Sequence, residues 1–112
     1  MANDTYDPEI TVQEYKSRLD KGDKPFVLDV RRPDEYDIAN LNGKLIPLQE
    51  LPERLDELEP YKDQEIVVYC RSGARSGQAV EFLRSQGFTK ARNLKGGILA
   101  WSKEIDPNVP TY

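Results

Sequence analysis

Histidine is absent from the 112 residues, and no other feature of the composition excludes as much chemistry. Without imidazole there is no Cys–His or Ser–His dyad and no thiolate–imidazole metal site, so neither a metal nor a cofactor is expected. Cysteine occurs once, which rules out an internal disulfide and points to the reducing cytoplasm as the compartment. No apolar run approaches the length of a membrane span. The opening stretch MANDTYDPE lacks the charged-then-apolar pattern of a secretory leader. Basic residues, 16 in all, are outnumbered by 20 acidic ones; the net charge of -4 argues against nucleic acids and acidic membranes as partners. What remains is one domain spanning residues 1–112, without repeats, low-complexity tracts or an internal linker. It is 38% hydrophobic and long enough to bury a core without disulfide staples.

Along the chain, strand patterns alternate with helix patterns. Thr11-Val12-Gln13-Glu14 reads as a capping box, with Val12, Tyr15 and Leu19 on one helical face and Gly22 as the stop. Phe26–Val30 is a short apolar strand, and Pro33-Asp34-Glu35-Tyr36 opens a short helix with its proline and acids suitably placed. Leu45-Ile46-Pro47 reads as a strand ended by proline. Leu51, Leu55 and Leu58 mark one face of a helix closed by Pro60, and the acids between Glu50 and Asp63 form its solvated side. Ile66–Cys70 is the strongest strand pattern, apolar throughout, as in a strand covered on both faces. A helix follows over Ser76–Gln86, with Ala79, Val80 and Leu83 inward and Gly87 beyond its end. Ala91–Leu94 is a last short strand, and Gly96-Gly97 opens a helix running through Trp101, whose indole is expected in the core. The ending DPNVPTY is broken by proline and is expected to lie over the surface. Such alternation predicts an α/β domain with a mainly parallel sheet, whose ligands sit beyond the carboxyl ends of the strands. Cys70 stands at such an end.

The single thiol is followed by Arg71, Ser72, Gly73, Ala74, Arg75 and Ser76. A free thiol is only about 3% ionised at pH 7. Lowering its pKa by about 2 units takes about 2.7 kcal/mol of preferential stabilisation of the anion. The positive end of the following helix supplies part of this. Arg71 and Arg75 add charge that does not titrate near neutrality. The backbone N–H groups from Arg71 to Ser76 can converge as an anion nest, Gly73 supplying the positive φ. The Ser72 and Ser76 hydroxyls are further donors, although Ser76 reads first as an ordinary helix N-cap.

A thiolate in such a nest attacks sulfur or phosphorus. Four residues separate Cys70 from Arg75, one fewer than in the cysteine phosphatases, and Tyr69 stands where those enzymes usually carry histidine. One residue less shortens the loop contour by about 3.5 Å and its radius by about 0.5 Å, which favours a single sulfur atom over a phosphoryl group. Two other readings stay open on the residues alone. One is a small phosphatase or arsenate reductase on the same fold, and the other is a non-enzymatic binding module whose thiol senses redox state.

Three segments, LDVRRPDEY at Leu28–Tyr36, VVYCRSGARS at Val67–Ser76 and NLKGGILAW at Asn93–Trp101, occur in an order that resembles the rhodanese-like sulfurtransferases over nearly the whole chain. The resemblance implies a rhodanese-like three-layer α/β fold, a five-stranded mainly parallel sheet with helices on both faces. It implies a persulfide on Cys70 as covalent intermediate, with Arg71, Ser72, Gly73, Ala74, Arg75 and Ser76 as the substrate cradle. It further implies a small anionic donor such as thiosulfate or a persulfide, and a thiophilic acceptor: cyanide in vitro, a thiol or a sulfur-carrier protein in the cell. LIPLQELPERLDEL and GGILAWSKEIDPNVPTY are similar to the C-terminal rhodanese domain of enzymes that activate sulfur carriers for molybdopterin or thiamin synthesis. The sequence carries no adenylating domain or glycine-rich nucleotide loop, so it is expected to act alone or with a separate activator. The Gly-His-Ile segment of many rhodanese domains is replaced by IANLNGKLIPL, and no role is transferred there. Asp29 and Arg31, at the end of the Phe26–Val30 strand, are expected to form structural hydrogen bonds or an ion pair, Arg31 with Glu35.

Overall fold

Four residues of unbroken hydrocarbon and aromatic character, Ile66–Tyr69, form the central strand of the protein, and every one of them is buried. The computed structural model describes residues 7–112; Met1–Tyr6, part of the stretch read for a leader, lie outside it. In chain order the regular elements are β1 (Glu9–Ile10), α1 (Val12–Asp20), β2 (Phe26–Asp29), α2 (Pro33–Ile38), β3 (Lys44–Leu45), β4 (Ile66–Tyr69), α3 (Ala74–Ser85), β5 (Ala91–Leu94) and α4 (Gly97–Glu104). The strands lie in the order β1-β5-β4-β2-β3, and all four pairings are parallel. Phe26 lies opposite Ile66 and Asp29 opposite Tyr69, so β2 and β4 end at the same level and deliver their following loops to one edge.

Alternation along β4 divides the core between the two faces. Ile66, Val68 and Cys70 join Leu28, Ile46, Leu51, Leu58, Ala79, Leu83 and Phe88 on one side. Val67 and Tyr69 join Ile10, Val12, Tyr15, Leu94, Ile98 and Trp101 on the other. Helix α3 therefore covers one face while α1 and α4 cover the opposite one, giving the expected three layers. Trp101 is in the core, its ring 5.6 Å from that of Tyr15. Among the described residues no helix is long and apolar enough to cross a membrane.

Several boundaries differ from the sequence pattern for identifiable reasons. The two-residue β1 has no strand signature of its own and forms through pairing with β5, Glu9 opposite Asn93. β3 stops at Leu45, although the Ile46 and Leu48 amides continue bonding to Asp29 and Val30 across Pro47, which has no N–H to give. The leucine-spaced segment is not an α-helix. It consists of two 3-10 pieces, Leu48–Glu50 and Leu55–Tyr61, with Pro60 inside the second. Leu51 and Leu58 still reach the core, while Arg54 pairs with Glu50 and Glu57 on the outside. Helix α3 begins at Ala74, two residues earlier than the pattern suggested, because Gly73 takes the N-cap position at φ 106°. Ser76 is thus in the first turn and is not the N-cap.

Helix α4 starts against the loop after β4. The Ile98 and Leu99 amides donate to the Cys70 and Arg71 carbonyls at 3.0 and 3.1 Å. These bonds turn the two carbonyls toward α4 and away from the thiol. The approach is possible only because residue 97 has no side chain. A Cβ there would stand 2.4 Å from the Arg71 oxygen and 2.5 Å from that of Cys70, at a φ of +64°. Gly97→Ala is expected to lower stability by about 3 kcal/mol, combining left-handed strain with overpacking against immovable backbone. Gly22→Ala, equally left-handed but facing open space, should cost only about 1 kcal/mol. Urea denaturation of the two variants tests the comparison, and equal losses would remove the steric part of the argument.

Candidate active site

Cys70 immediately follows β4, and its side chain is almost wholly buried, with 1% of the residue exposed. Three donors reach its Sγ: the Gly73 amide at 3.1 Å, the Ser76 amide at 3.3 Å and the Ser76 hydroxyl at 3.3 Å. Burial pushes the thiol pKa up. The Ser76 hydroxyl and the amides of Ser76, Gly73 and Ser72 together outweigh it, and Cys70 lies below the ordinary thiol value. Among the amides from Arg71 to Ser76, those of Gly73 and Ser76 lie within hydrogen-bond distance of the sulfur. The loop folds this way because the positive φ at Gly73 reverses the chain, and because the first turn of α3 leaves its N–H groups without helical partners.

A second layer fixes these donors. Asn93 on β5 gives its Nδ2 to the Gly73 carbonyl at 3.1 Å, which sets its Oδ1 toward Ser76, 2.5 Å from the hydroxyl. The Ser76 hydroxyl has one proton and two acceptors, Asn93 Oδ1 and Cys70 Sγ. With sulfur as S–H, the hydroxyl can give its proton to Asn93; with sulfur ionised, rotation of one bond delivers it to the anion. Ser76→Ala is expected to raise the Cys70 pKa by about 1 unit. The rate of iodoacetamide alkylation against pH measures that shift, and an unmoved midpoint would show the hydroxyl to be irrelevant to the sulfur.

The two loop arginines are both occupied. Arg75 grips Glu35 through two bonds, Nη1 to Oε1 at 2.6 Å and Nη2 to Oε2 at 2.9 Å. Glu35 is buried in the first turn of α2, where it also accepts from the Arg32 amide at 3.1 Å. Its pKa is drawn down to about 2, chiefly by Arg75 and against the effect of burial, so it is a carboxylate at any working pH. Arg71 donates Nε to the main-chain oxygen of Tyr112 at 2.7 Å, Nη2 bonds the same oxygen, and its guanidinium lies 5.3 Å from the Tyr112 ring centroid.

Arg31 has a different partner from the one expected. Its guanidinium bonds the Asp29 carboxylate, Nη2 to Oδ2 at 2.7 Å, and both residues are fully buried. The Glu35 side chain belongs to Arg75 instead, and Arg31 reaches only the Glu35 carbonyl, at 3.4 Å. An ion pair at that strand end was expected; its carboxylate is Asp29 because the residue two positions back on an extended chain lies on the same face. Sequence reasoning passed over three members of this assembly: Asn93, Glu35 as the partner of Arg75, and Tyr112. Asn93 left a signal, a polar side chain in a strand buried at all four positions.

A family model for the rhodanese-like domain matches residues 11–104 of this chain. A sulfurtransferase of Allochromatium vinosum is 38% identical over 102 residues, covering 90% of this chain and 94% of the relative. The adenylyltransferase and sulfurtransferase MOCS3-1 of Zea mays is 39% identical over 109 residues, 92% of this chain but 23% of that protein. The chain spans only about a quarter of several of its curated relatives. Among solved structures, a rhodanese-like domain protein from Staphylococcus aureus superposes with a TM-score of 0.78 at 30% identity, over 95% of this chain and 99% of that one.

Proposed function

We propose that this chain, which belongs to the rhodanese-like domain family, is a sulfurtransferase that carries sulfane sulfur on Cys70. The observation that bears most weight is the set of N–H and O–H donors converging on Sγ, because it favours negative charge on a sulfur atom otherwise closed off from water. In the first half-reaction the Cys70 thiolate attacks the outer sulfur of thiosulfate. A new S–S bond forms, the old one breaks, and sulfite leaves with the electron pair. The negative charge now resides on the outer sulfur of the persulfide. The cup formed by Arg71, Ser72, Gly73, Ala74, Arg75 and Ser76 holds that charge, as an oxyanion hole holds oxygen. In the second half-reaction an acceptor nucleophile attacks the outer sulfur and regenerates the thiolate; with cyanide the product is thiocyanate. Neither step transfers a proton, so a chain without histidine loses nothing by its absence.

The donor in the cell is a thiosulfate or persulfide anion, and the acceptor a thiol or a sulfur-carrier protein, in the reducing cytoplasm suited to an unpaired thiol. The functional domain extends past the family match to Tyr112, since Ser102 Oγ holds the Val109 carbonyl and Tyr112 joins the arginines of the rim. Mass spectrometry of the intact chain after incubation with thiosulfate tests the reading. One added sulfur on Cys70, removed by cyanide with release of thiocyanate, is expected. Absence of the adduct together with turnover of an aryl phosphate would replace the reading with a phosphatase.

A further inference from the structure

Segment 105–112 does more than lie over the surface. Ile105, Val109 and Tyr112 pack against the α1–α4 side of the core, and the Ser102 hydroxyl pins the Val109 carbonyl. The segment ends with Tyr112 inserted among the charged residues at the rim of the cysteine loop. The Tyr112 hydroxyl accepts from Arg31 Nη1 at 2.7 Å and donates to Glu35 Oε2 at 2.9 Å, so it bridges two buried charged residues. Its main-chain oxygen takes both Nε and Nη2 of Arg71, and its ring faces the same guanidinium at 5.3 Å. One residue thus closes the Glu35–Arg75 and Asp29–Arg31 pairs at one end and occupies Arg71 at the other.

The two loop cations consequently differ in availability. Arg75 is bound by a buried carboxylate that also accepts from the Arg32 amide and the Tyr112 hydroxyl, whereas Arg71, only half-buried, is bound by a single main-chain oxygen, that of Tyr112, held in place by a side chain remote in sequence. A doubly charged anion competes for a guanidinium with any single oxygen that holds it. We propose that Tyr112 is an access-determining residue of the site: it masks Arg71, and a small anionic reagent approaching Cys70 acquires Arg71 only by displacing the Tyr112 oxygen. This rests on the sulfurtransferase reading for its biological meaning, since thiosulfate is such an anion. The masking itself is a property of the rim and can be measured without turnover.

The test compares alkylation of Cys70 by iodoacetate, an anion, with alkylation by neutral iodoacetamide of similar size. Wild type, Tyr112→Ala, Tyr112→Phe, Arg71→Ala and the Arg71→Ala/Tyr112→Ala double variant are measured at one pH. Tyr112→Ala should raise the iodoacetate-to-iodoacetamide rate ratio about fivefold, the size of one partly exposed charge contact. Tyr112→Phe, which keeps the ring and loses the two hydroxyl bonds, should raise it by less. In the Arg71→Ala background the Tyr112 substitution should leave the ratio unchanged. Equal acceleration of both reagents, an unchanged ratio, or a rise that survives in the double variant would each overturn the proposal. If the ratio behaves as expected while thiosulfate leaves no adduct, the masking stands and the sulfurtransferase reading fails. If thiosulfate leaves its adduct and the ratio does not move, the reverse holds.

Discussion

Cys70→Ser should abolish sulfur transfer from thiosulfate to cyanide, with a loss of at least about a thousandfold, while the chain still folds. The argument is electronic before it is steric. A serine hydroxyl is far too weakly acidic for these donors to ionise. An oxygen at the same place would also form no stable bond to sulfane sulfur, so the covalent intermediate disappears. The exchange leaves the surroundings nearly undisturbed. The Gly73 and Ser76 donors that now face Sγ would face Oγ, and the new hydroxyl would remain hydrogen-bonded. Stability should fall by no more than about 2 kcal/mol in urea denaturation. Coupled colorimetry for thiocyanate gives the rate, and intact mass gives the adduct. Appreciable turnover by the serine variant, or an equal sulfur adduct on both chains, would show that the acceptor of sulfur lies elsewhere. Since Cys70 is the only cysteine in the sequence, no second thiol can supply an alternative explanation.

The readable part of this protein was what local chemistry controls. The apolar runs read at Phe26–Val30 and Ile66–Cys70 marked the strands that form at Phe26–Asp29 and Ile66–Tyr69, because a strand covered on both faces is built mainly from apolar residues. Thr11 named the start of α1, and its hydroxyl does accept from the Glu14 amide at 3.0 Å. The cysteine loop was legible because glycine, serine and arginine behind a strand end leave few alternatives. Its donors are backbone groups whose direction follows from one positive φ at Gly73.

Contacts formed between elements distant in sequence were not legible. Nothing local distinguishes Glu35 as a partner for Arg75 rather than Arg31; the choice is made by a pairing between the first turns of α2 and α3, 40 residues apart in the chain. The role of Asn93 depends on β5 lying beside β4, so that its amide spans the gap between Gly73 and Ser76. Tyr112 was read as part of a proline-broken ending because proline predicts where regular structure stops, not where the chain goes next. The short β1 likewise exists only through its neighbour. The 3-10 form of Leu55–Tyr61 is a case in which periodicity gave the correct buried residues and the wrong helix, since leucines spaced three and four apart satisfy either geometry roughly.

Arg31→Ala is expected to be the most destabilising substitution among the charged residues, at about 4 kcal/mol. Both Arg31 and Asp29 are sealed from solvent, and the arginine side chain makes bonds in every direction open to its fork. Nε and Nη2 hold Asp29 at 3.0 and 2.7 Å, Nη2 also holds the Ala39 carbonyl at 2.7 Å, and Nη1 holds the Tyr112 hydroxyl at 2.7 Å. Truncation leaves a buried carboxylate with no opposite charge to answer it, an orphaned carbonyl at the end of α2, and an empty volume beside Tyr69, whose ring faces the guanidinium at 5.4 Å. Arg31→Lys keeps the charge but cannot reproduce the planar fork, and should recover less than half of the loss. Removing both charges together, as Asp29→Ala with Arg31→Leu, should cost less than Arg31→Ala alone, because no unpaired ion then remains inside. Chemical denaturation of the three variants gives the ordering. A double variant worse than the single one would mean that the pair contributes attraction beyond what its burial consumes. A near-neutral Arg31→Ala would mean that water reaches Asp29 once the arginine is gone. In the variants that put Ala or Leu at position 31 the Tyr112 hydroxyl also loses a donor, so the iodoacetate-to-iodoacetamide ratio at Cys70 should rise as expected for Tyr112→Phe, joining the stability of this strand end to the charge exposed around the thiol.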